Sequence, residues 1–295
     1  AGNDRLYGGD GRDTVRGHGG DDRLEGGKDA DHLIGGSGAD RLFGQQGDDY
    51  LRADLDDKLD VLFGGSGNDT LFGTSGERRP DGIGFSDVLV GGSGNDTYHI
   101  ASGEPIDKAA ADPGIDTVVV YANVDYTLGP HQENLTDHYD NNRGVLRGNA
   151  GANVMTGFFD SILYGMGGDD VFVANPYFVD LIDGGNGHDS ILLPPSSQAW
   201  FENFPYDVRN IEILDAEDGY VFEVKFDLSP AEVLDITDHR NVLRIHGEAT
   251  DVVDSETTWT FTGTVAERGR VYDQYTAGGA TLRIDPDVRI SFDFV

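Results

Sequence analysis

An aspartate returns every nine residues at the start of this chain. Asp4, Asp13, Asp22, Asp31, Asp40 and Asp49 stand in strict register, and the series resumes at Asp60 and Asp69, then at Asp87 and Asp96. The frame around them is G-G-x-G-x-D-x-U-x, where U is large and apolar. It is matched at Gly8–Arg16 (GGDGRDTVR), Gly35–Phe43 (GGSGADRLF), Gly64–Phe72 (GGSGNDTLF), Gly91–His99 (GGSGNDTYH) and Gly184–Leu192 (GGNGHDSIL). Looser copies fill Gly17–Glu25, Gly26–Ile34, Gly44–Arg52 and Gly165–Val173, and a second block carries Asn153, Asp160, Asp170, Asp180 and Asp189. A unit this short cannot bury a core alone, so neighbouring copies must stack.

Each part of the frame has a physical reading. The glycines supply positive φ and close backbone approach, which makes the first six positions a tight turn. The last three positions put one apolar side chain inward between two outward ones, as in a strand. Leu6, Val15, Leu24, Leu33, Leu42, Leu51, Leu62, Leu71, Leu89 and Tyr98 are the inward residues. Turn and strand repeated give a flattened parallel coil with two repeats per revolution. Acids eighteen apart then share an edge: Asp4, Asp22 and Asp40 on one side, Asp13, Asp31 and Asp49 on the other.

Stacked like charges require a cation. The chain holds 54 Asp or Glu against 21 Lys or Arg, a net charge of −33, and no Cys. Thiolate metal sites and disulfides are therefore excluded. The donors on offer are oxygens, which are hard ligands, and irregular turns suit Ca²⁺ better than octahedral Mg²⁺. Spacing allows at most about eleven ions. The adjacent Asp56 and Asp57 read as a solvated pair rather than a loop site. The same charge makes nucleic acid a poor partner and disfavours anionic membrane surfaces. Apolar runs such as Val118-Val119-Val120-Tyr121-Ala122 are far too short for membrane insertion.

The nonapeptides resemble those of RTX (repeats-in-toxin) proteins, closely over 1–99 and loosely over 148–192. The intervening Ile115-Asp116-Thr117-Val118, Tyr126-Thr127-Leu128-Gly129, Glu133-Asn134-Leu135-Thr136 and Gly148-Asn149-Ala150-Gly151-Ala152-Asn153 are similar to a segment often found between RTX blocks. The resemblance implies an all-β fold built on a right-handed parallel β-roll. It implies Ca²⁺ between turns eighteen apart, held by the sixth-position carboxylates and by main-chain carbonyls of the turns. The acids are Asp4, Asp13, Asp22, Asp31, Asp40, Asp49, Asp60, Asp69, Asp87, Asp96, Asp160, Asp170, Asp180 and Asp189. The carbonyls implied are those of Gly8, Asp10, Gly17, Gly19, Gly26, Lys28, Gly35, Ser37, Gly44, Gln46, Gly64, Ser66, Gly91, Ser93, Gly165, Gly167, Gly184 and Asn186. It further implies secretion by type I machinery and folding on meeting extracellular calcium, so that binding free energy becomes folding free energy. Several copies depart from the frame. Asp29, His18 and Gln45 replace turn glycines, Asn153 replaces an acid, and Gly157–Tyr164 is one residue short. Insertions at 53–60 and 73–86 make Asp60 and Asp87 the less secure positions.

After Leu192 only six of the 43 glycines remain, while both tryptophans, Trp200 and Trp259, lie there. This shift predicts a boundary near Pro194, giving a repeat region 1–193 (blocks 1–99 and 148–192 joined by 100–147) and a β-rich region 194–295. The second region reads as a small, mostly antiparallel β domain with strands at Val208–Leu214, Val221–Phe226, Asn241–His246, Trp259–Thr264, Val271–Tyr275, Thr281–Ile284 and Val288–Phe294. Ser229-Pro230-Ala231-Glu232 is a capping box that predicts its one short helix. Asp227–Leu234, Val242–Gly247 and Tyr275–Leu282 resemble the ends of many large RTX adhesins and other RTX exoproteins, and Phe292-Asp293-Phe294-Val295 resembles the tail of some type I secretion signals.

No HExxH, GxSxG or Walker-A motif occurs, and His131 and His138 lack a third convergent ligand, so no catalytic activity is expected. The chain begins without Met and without a signal-peptide pattern, and reads as a fragment. Two whole-protein readings follow: the C-terminal end of a calcium-dependent surface adhesin, with a cell-surface or glycan receptor as partner, or the export module of a secreted protease, lipase or epimerase. A carbohydrate-binding module within 194–295 is a weaker third.

Overall fold

A computed structural model describes residues 2–53, 56, 58–73, 87–100, 114–121, 125–138, 144–158, 160–173, 179–193, 200–201, 207–216, 225–248, 251–255 and 257–292. Asp57, the inserted residues 74–86, the beginning of the strand expected at Val221 and the tail Asp293-Phe294-Val295 lie outside them. The fold is all-β with a single short helix among the described residues, and it forms two compact units, Ala1–Val145 and Leu146–Val295.

In the first unit alternate repeats feed two parallel sheets. One runs Arg5–Asp10, Arg23–Lys28, Arg41–Gln46, Val61–Ser66, Val88–Ser93. The other runs Thr14–Gly19, His32–Ser37, Tyr50–Arg52, Thr70–Phe72, Thr97–Ile100, Thr117–Val120, Asn134–Asp137. Leu6 lies beside Leu24, Leu24 beside Leu42, and Leu33 beside Leu51, the expected eighteen-residue step. The apolar eighth positions make the core: Leu24, Leu33, Leu42, Leu51, Leu62, Leu71 and Leu89 are wholly buried.

The two insertions leave the coil undisturbed. Leu62 still pairs with Leu42 and Leu89 with Leu62. Extra chain between repeats costs loop entropy, which grows slowly with length, whereas a register slip would expose the core leucines. The segment read as a connector also continues the coil, with Val118 beside Tyr98 and Leu135 beside Val118.

The second unit opens in the same way. Val154–Thr156, Val171–Val173, Ser190–Leu192, Ile213–Asp215, Val242–His246 and Ala280–Ile284 pair in parallel, with Met155, Phe172, Ile191 and Leu214 buried in line. A second ladder joins Ile162–Tyr164, Leu181–Asp183 and Val208–Arg209. The expected antiparallel pairing occurs where Thr260–Glu267, Arg270–Ala277 and Ala280–Ile284 form a meander. Elsewhere after residue 193 the strands pair in parallel, including Lys225–Asp227 with Val252–Ser255 and Val252–Ser255 with Arg289–Phe292. Parallel coiling thus outlasts the glycine-rich frame, because inward apolar residues suffice to propagate it.

The helix Pro230–Ile236 forms where its capping box predicts. Ser229 Oγ accepts from the Glu232 amide at 3.3 Å, Glu232 Oε2 accepts from the Ser229 amide at 2.6 Å, and Val233 and Ile236 are buried. Trp259 is 2% exposed, and its Nε1 donates to Leu228 O and Ser255 Oγ, so it belongs to the core rather than to a binding platform.

Candidate metal sites

Every sixth-position aspartate but Asp160 immediately precedes a strand, and along most of the coil its side chain points back to the turn before. Asp22 Oδ1 accepts the backbone amide of Asp4 at 2.7 Å, Asp40 that of Asp22 at 2.8 Å, Asp60 that of Asp40 at 2.7 Å and Asp87 that of Asp60 at 2.9 Å. On the other edge Asp31 accepts from Asp13, Asp49 from Asp31, Asp69 from Asp49 and Asp96 from Asp69, at 2.7 to 2.9 Å. Asp60 and Asp87, the less secure positions, therefore stand fully in line. In the second unit Asp170 accepts from Asn153 at 2.8 Å and Asp189 from Asp170 at 2.9 Å.

That bond uses one carboxylate oxygen. The other, Oδ2, is buried without a hydrogen-bond partner in Asp13, Asp22, Asp31, Asp40, Asp49, Asp60, Asp69, Asp170 and Asp189. A buried unpaired carboxylate oxygen costs far more than a hydrogen bond returns. Apart from Asp60, whose repeat has no glycine at that place, each orphan lies against the first-position glycine of its own repeat. A Cβ on Gly8 would stand 2.9 Å from Asp13 Oδ2 and 2.6 Å from the Gly26 carbonyl oxygen. Gly17 meets the equivalent pair from Asp22 and Gly35, Gly26 from Asp31 and Gly44, Gly44 from Asp49 and Gly64, Gly64 from Asp69 and Gly91, and Gly165 from Asp170 and Gly184. A carboxylate oxygen of one turn and a carbonyl oxygen of the next thus converge where only glycine leaves room. An all-oxygen donor set repeated on both edges is what a hard divalent cation needs.

The family model of the RTX calcium-binding nonapeptide repeat matches residues 1–33, 25–57, 58–77, 81–99 and 154–175, the stretches that carry these ladders. These stretches are RTX calcium-binding repeats. No curated protein matches the chain.

Calcium is accordingly the ion of the RTX sites, and the sites' electrostatics explain why one is needed. Burial pushes Asp40 and Asp49 up to about 6, Asp69, Asp170 and Asp189 to about 7 and Asp60 to about 8, and neighbouring carboxylates add to the rise. Asp31 is raised for the same reason. Nearby cations do little to offset this. Lys28 pairs with Asp10 at 3.0 Å on an exposed turn, away from the buried row.

The third-position residues also lie on the turns. The carbonyls of Gly19, Ser37, Ser66, Ser93 and Asn186 each accept a backbone amide from the preceding turn, leaving a second lone pair for a ligand. The glycine replacements keep the turn: His18, Asp29, Gln45 and Met166 adopt φ of 72°, 71°, 83° and 75°. A left-handed non-glycine residue costs about 1 kcal/mol, so the calcium turn tolerates them at a price in stability. Asp56 is not simply solvated, since its Oδ2 accepts the Gly38 amide at 2.6 Å in the place of a turn residue.

One edge of the second unit lacks this convergence of oxygens. Asp180 is exposed. Asp160 stands one residue too early, because the short repeat shifts the frame and buried Ser161 precedes the strand Ile162–Tyr164 in its stead. The matching glycine, Gly157, faces Leu163 and Val179 carbons rather than oxygens. Among the described residues of that unit, the edge of Asn153, Asp170 and Asp189 carries the arrangement.

Three further carboxylates extend the ladders without belonging to a repeat frame. Asp116 Oδ1 accepts the Asp96 amide at 3.0 Å, Glu133 Oε2 the Asp116 amide at 2.9 Å and Glu212 Oε2 the Asp189 amide at 2.9 Å. Each precedes a buried apolar residue by two places (Val118, Leu135, Leu214), so the acid-then-apolar spacing alone, freed of the glycines, marks them. A second ladder at the fifth position runs the opposite way, with Asn3 accepting from Asp21, Asp48 from Asn68 and Asn68 from Asn95.

Proposed function

We propose that this calcium-binding RTX module is a non-catalytic folding switch at the C-terminal end of a bacterial surface adhesin. It stays unfolded in a low-calcium cytosol, passes through type I secretion machinery, and folds on extracellular calcium. The carrying observation is the row of buried Oδ2 atoms without partners. A folded coil free of metal must hold them ionised and unpaired or protonate them, and both oppose folding near neutral pH. Extracellular calcium modules bind at about 10⁻⁴–10⁻³ M, which leaves them empty inside a cell and filled outside. The likeness of Asp227–Leu234 and Tyr275–Leu282 to adhesin ends supports the adhesin assignment.

A calcium titration followed by circular dichroism tests the switch. The chain in chelator is expected to lack most of its β signal and to gain it cooperatively as calcium rises through the millimolar range. A spectrum unchanged across the titration would refute the reading.

A further inference from the structure

Asp189, the last aspartate of the row Asn153, Asp170 and Asp189, faces a segment that no repeat frame covers and that lies beyond the family match. At the preceding turn, the Gly165 α-carbon is flanked by Asp170 Oδ2 and the Gly184 carbonyl oxygen. At Gly184 the same place is flanked by Asp189 Oδ2 and the carbonyl oxygen of Asn210. Asp189 is wholly buried, and its Oδ2 has no hydrogen-bond partner. Asn210 therefore stands where the next first-position glycine would stand.

From there the chain departs from the frame. Asp189 stands five positions after Gly184, but Glu212 stands two positions after Asn210, so the glycine turn is absent. Asn210 takes φ 52°, a left-handed conformation that asparagine tolerates better than most residues. Glu212 then holds the register of the next acid, immediately before Ile213–Asp215, which pairs with Ser190–Leu192. Its Oε2 receives the Asp189 amide as Asp189 Oδ1 receives that of Asp170, both at 2.9 Å. Glu212 is itself buried, at 2% exposure.

The helix Pro230–Ile236 and the loop after it contact this segment and the last turn. Ile236 O accepts the Ile211 amide at 2.9 Å, and Glu212 Oε1 accepts the Asp238 amide at 3.4 Å. Arg240 Nη1 donates to Nε2 of His188, the fifth residue of the last turn, at 2.8 Å. Arg240 is balanced by Asp238, with Nε to Oδ2 at 3.0 Å.

We propose that Asp189, the Asn210 carbonyl and Glu212 form a further calcium site, half repeat and half not, whose filling orders the helix and the loop 237–241. The inference rests on the reading that the repeats bind calcium. Without the ion, two buried carboxylates oppose each other across one amide contact and repel the 207–212 segment from the last turn. With it, the segment closes and the helix contacts at Ile211 and Asp238 follow. This site lacks the carbonyls of a following glycine turn, so it fills at higher calcium than the sites between complete turns.

Hydrogen exchange and equilibrium dialysis of the full chain against calcium test the assignment. The Ile211 and Asp238 amides should exchange about 100-fold slower at a calcium concentration 100 times this site's Kd than at the lower calcium that fills only the sites between complete turns. Asp189→Asn should bind one ion fewer and lose that protection, whereas Asp40→Asn should lose an ion and leave those amides as in wild type. Glu212→Gln, which keeps an acceptor for the Asp189 amide and so guards against a misfolded Asp189→Asn, should shift the protection to higher calcium. Wild-type ion count and wild-type protection at Ile211 and Asp238 in Glu212→Gln would overturn the site while leaving calcium binding by the ladders intact. A wild-type chain that binds no calcium would instead overturn the functional reading beneath it.

Discussion

Asp40 Oδ1 accepts the backbone amide of Asp22 at 2.8 Å, while Asp40 Oδ2, equally buried, has no partner. One oxygen locks the coil register and the other is left for a cation. The two roles separate by substitution. Asp40→Asn keeps an acceptor for Asp22 and removes the charge, so the coil should still form while its calcium midpoint rises about tenfold or more, as fewer charged ligands weaken a site. Asp40→Ala removes both, and should in addition lower stability by about 1–3 kcal/mol through the unpaired amide. Calcium titrations monitored by circular dichroism distinguish the two variants, and identical midpoints would contradict the division of roles.

Acidity should partly replace calcium. The folded-state values of Asp40 and Asp49 near 6, Asp69 near 7 and Asp60 near 8 all exceed the ordinary 3.8. A carboxyl raised on folding binds its proton more tightly in the folded coil. Its contribution is thus full below about pH 4 and is lost as pH rises through 6 to 8. Protein in chelator is expected to show more β signal at pH 5 than at pH 9. Calcium affinity should run the other way, weakening at pH 5 because protons must leave before the ion enters. Equal signals at both pH values in chelator would count against the buried-carboxylate account.

Neighbouring glycines should behave differently. Gly8 has an unexceptional φ, but a Cβ there would intrude on Asp13 Oδ2 and the Gly26 carbonyl. Gly9 has φ 115° and open space around its Cβ position. Gly8→Ala should raise the calcium midpoint, whereas Gly9→Ala should cost about 1–2 kcal/mol of backbone strain with little change in the calcium-binding site itself. Calorimetric binding and thermal unfolding of both variants check the contrast.

Asp160→Ala and Asp180→Ala should leave the number of bound ions unchanged, because Gly157 faces carbon rather than oxygen. Asp170→Ala should reduce it. Equilibrium dialysis counts the ions directly, and a loss in Asp180→Ala would restore that edge as a site.

Much of this was legible in the residues. The nine-residue return of Asp and the apolar residue two places after it fix a local turn and strand, and local geometry repeated without interruption has one way to stack. The wholly buried Leu24 to Leu89 row and the ladder acids from Asp13 to Asp69 follow from that period. The capping box at Ser229 was equally local, since its two reciprocal bonds span three residues.

What the period could not decide depended on neighbours distant in sequence. Asp180 matches the pattern but is exposed, while Glu212 departs from it and is buried, because burial depends on what packs across the coil rather than on position in a motif. The insertions before Asp60 and Asp87 looked disruptive, yet the register survives them, because the core leucines hold it more firmly than the loops oppose it. Composition placed an end of the coil at Pro194, whereas parallel strands continue to Ala280–Ile284, carried by inward apolar residues alone. The sequence by itself determined the repeating unit and the kind of ion it calls for. Only the tertiary structure decided which carboxylate oxygens are left without a partner, because that depends on which turn lies above each one.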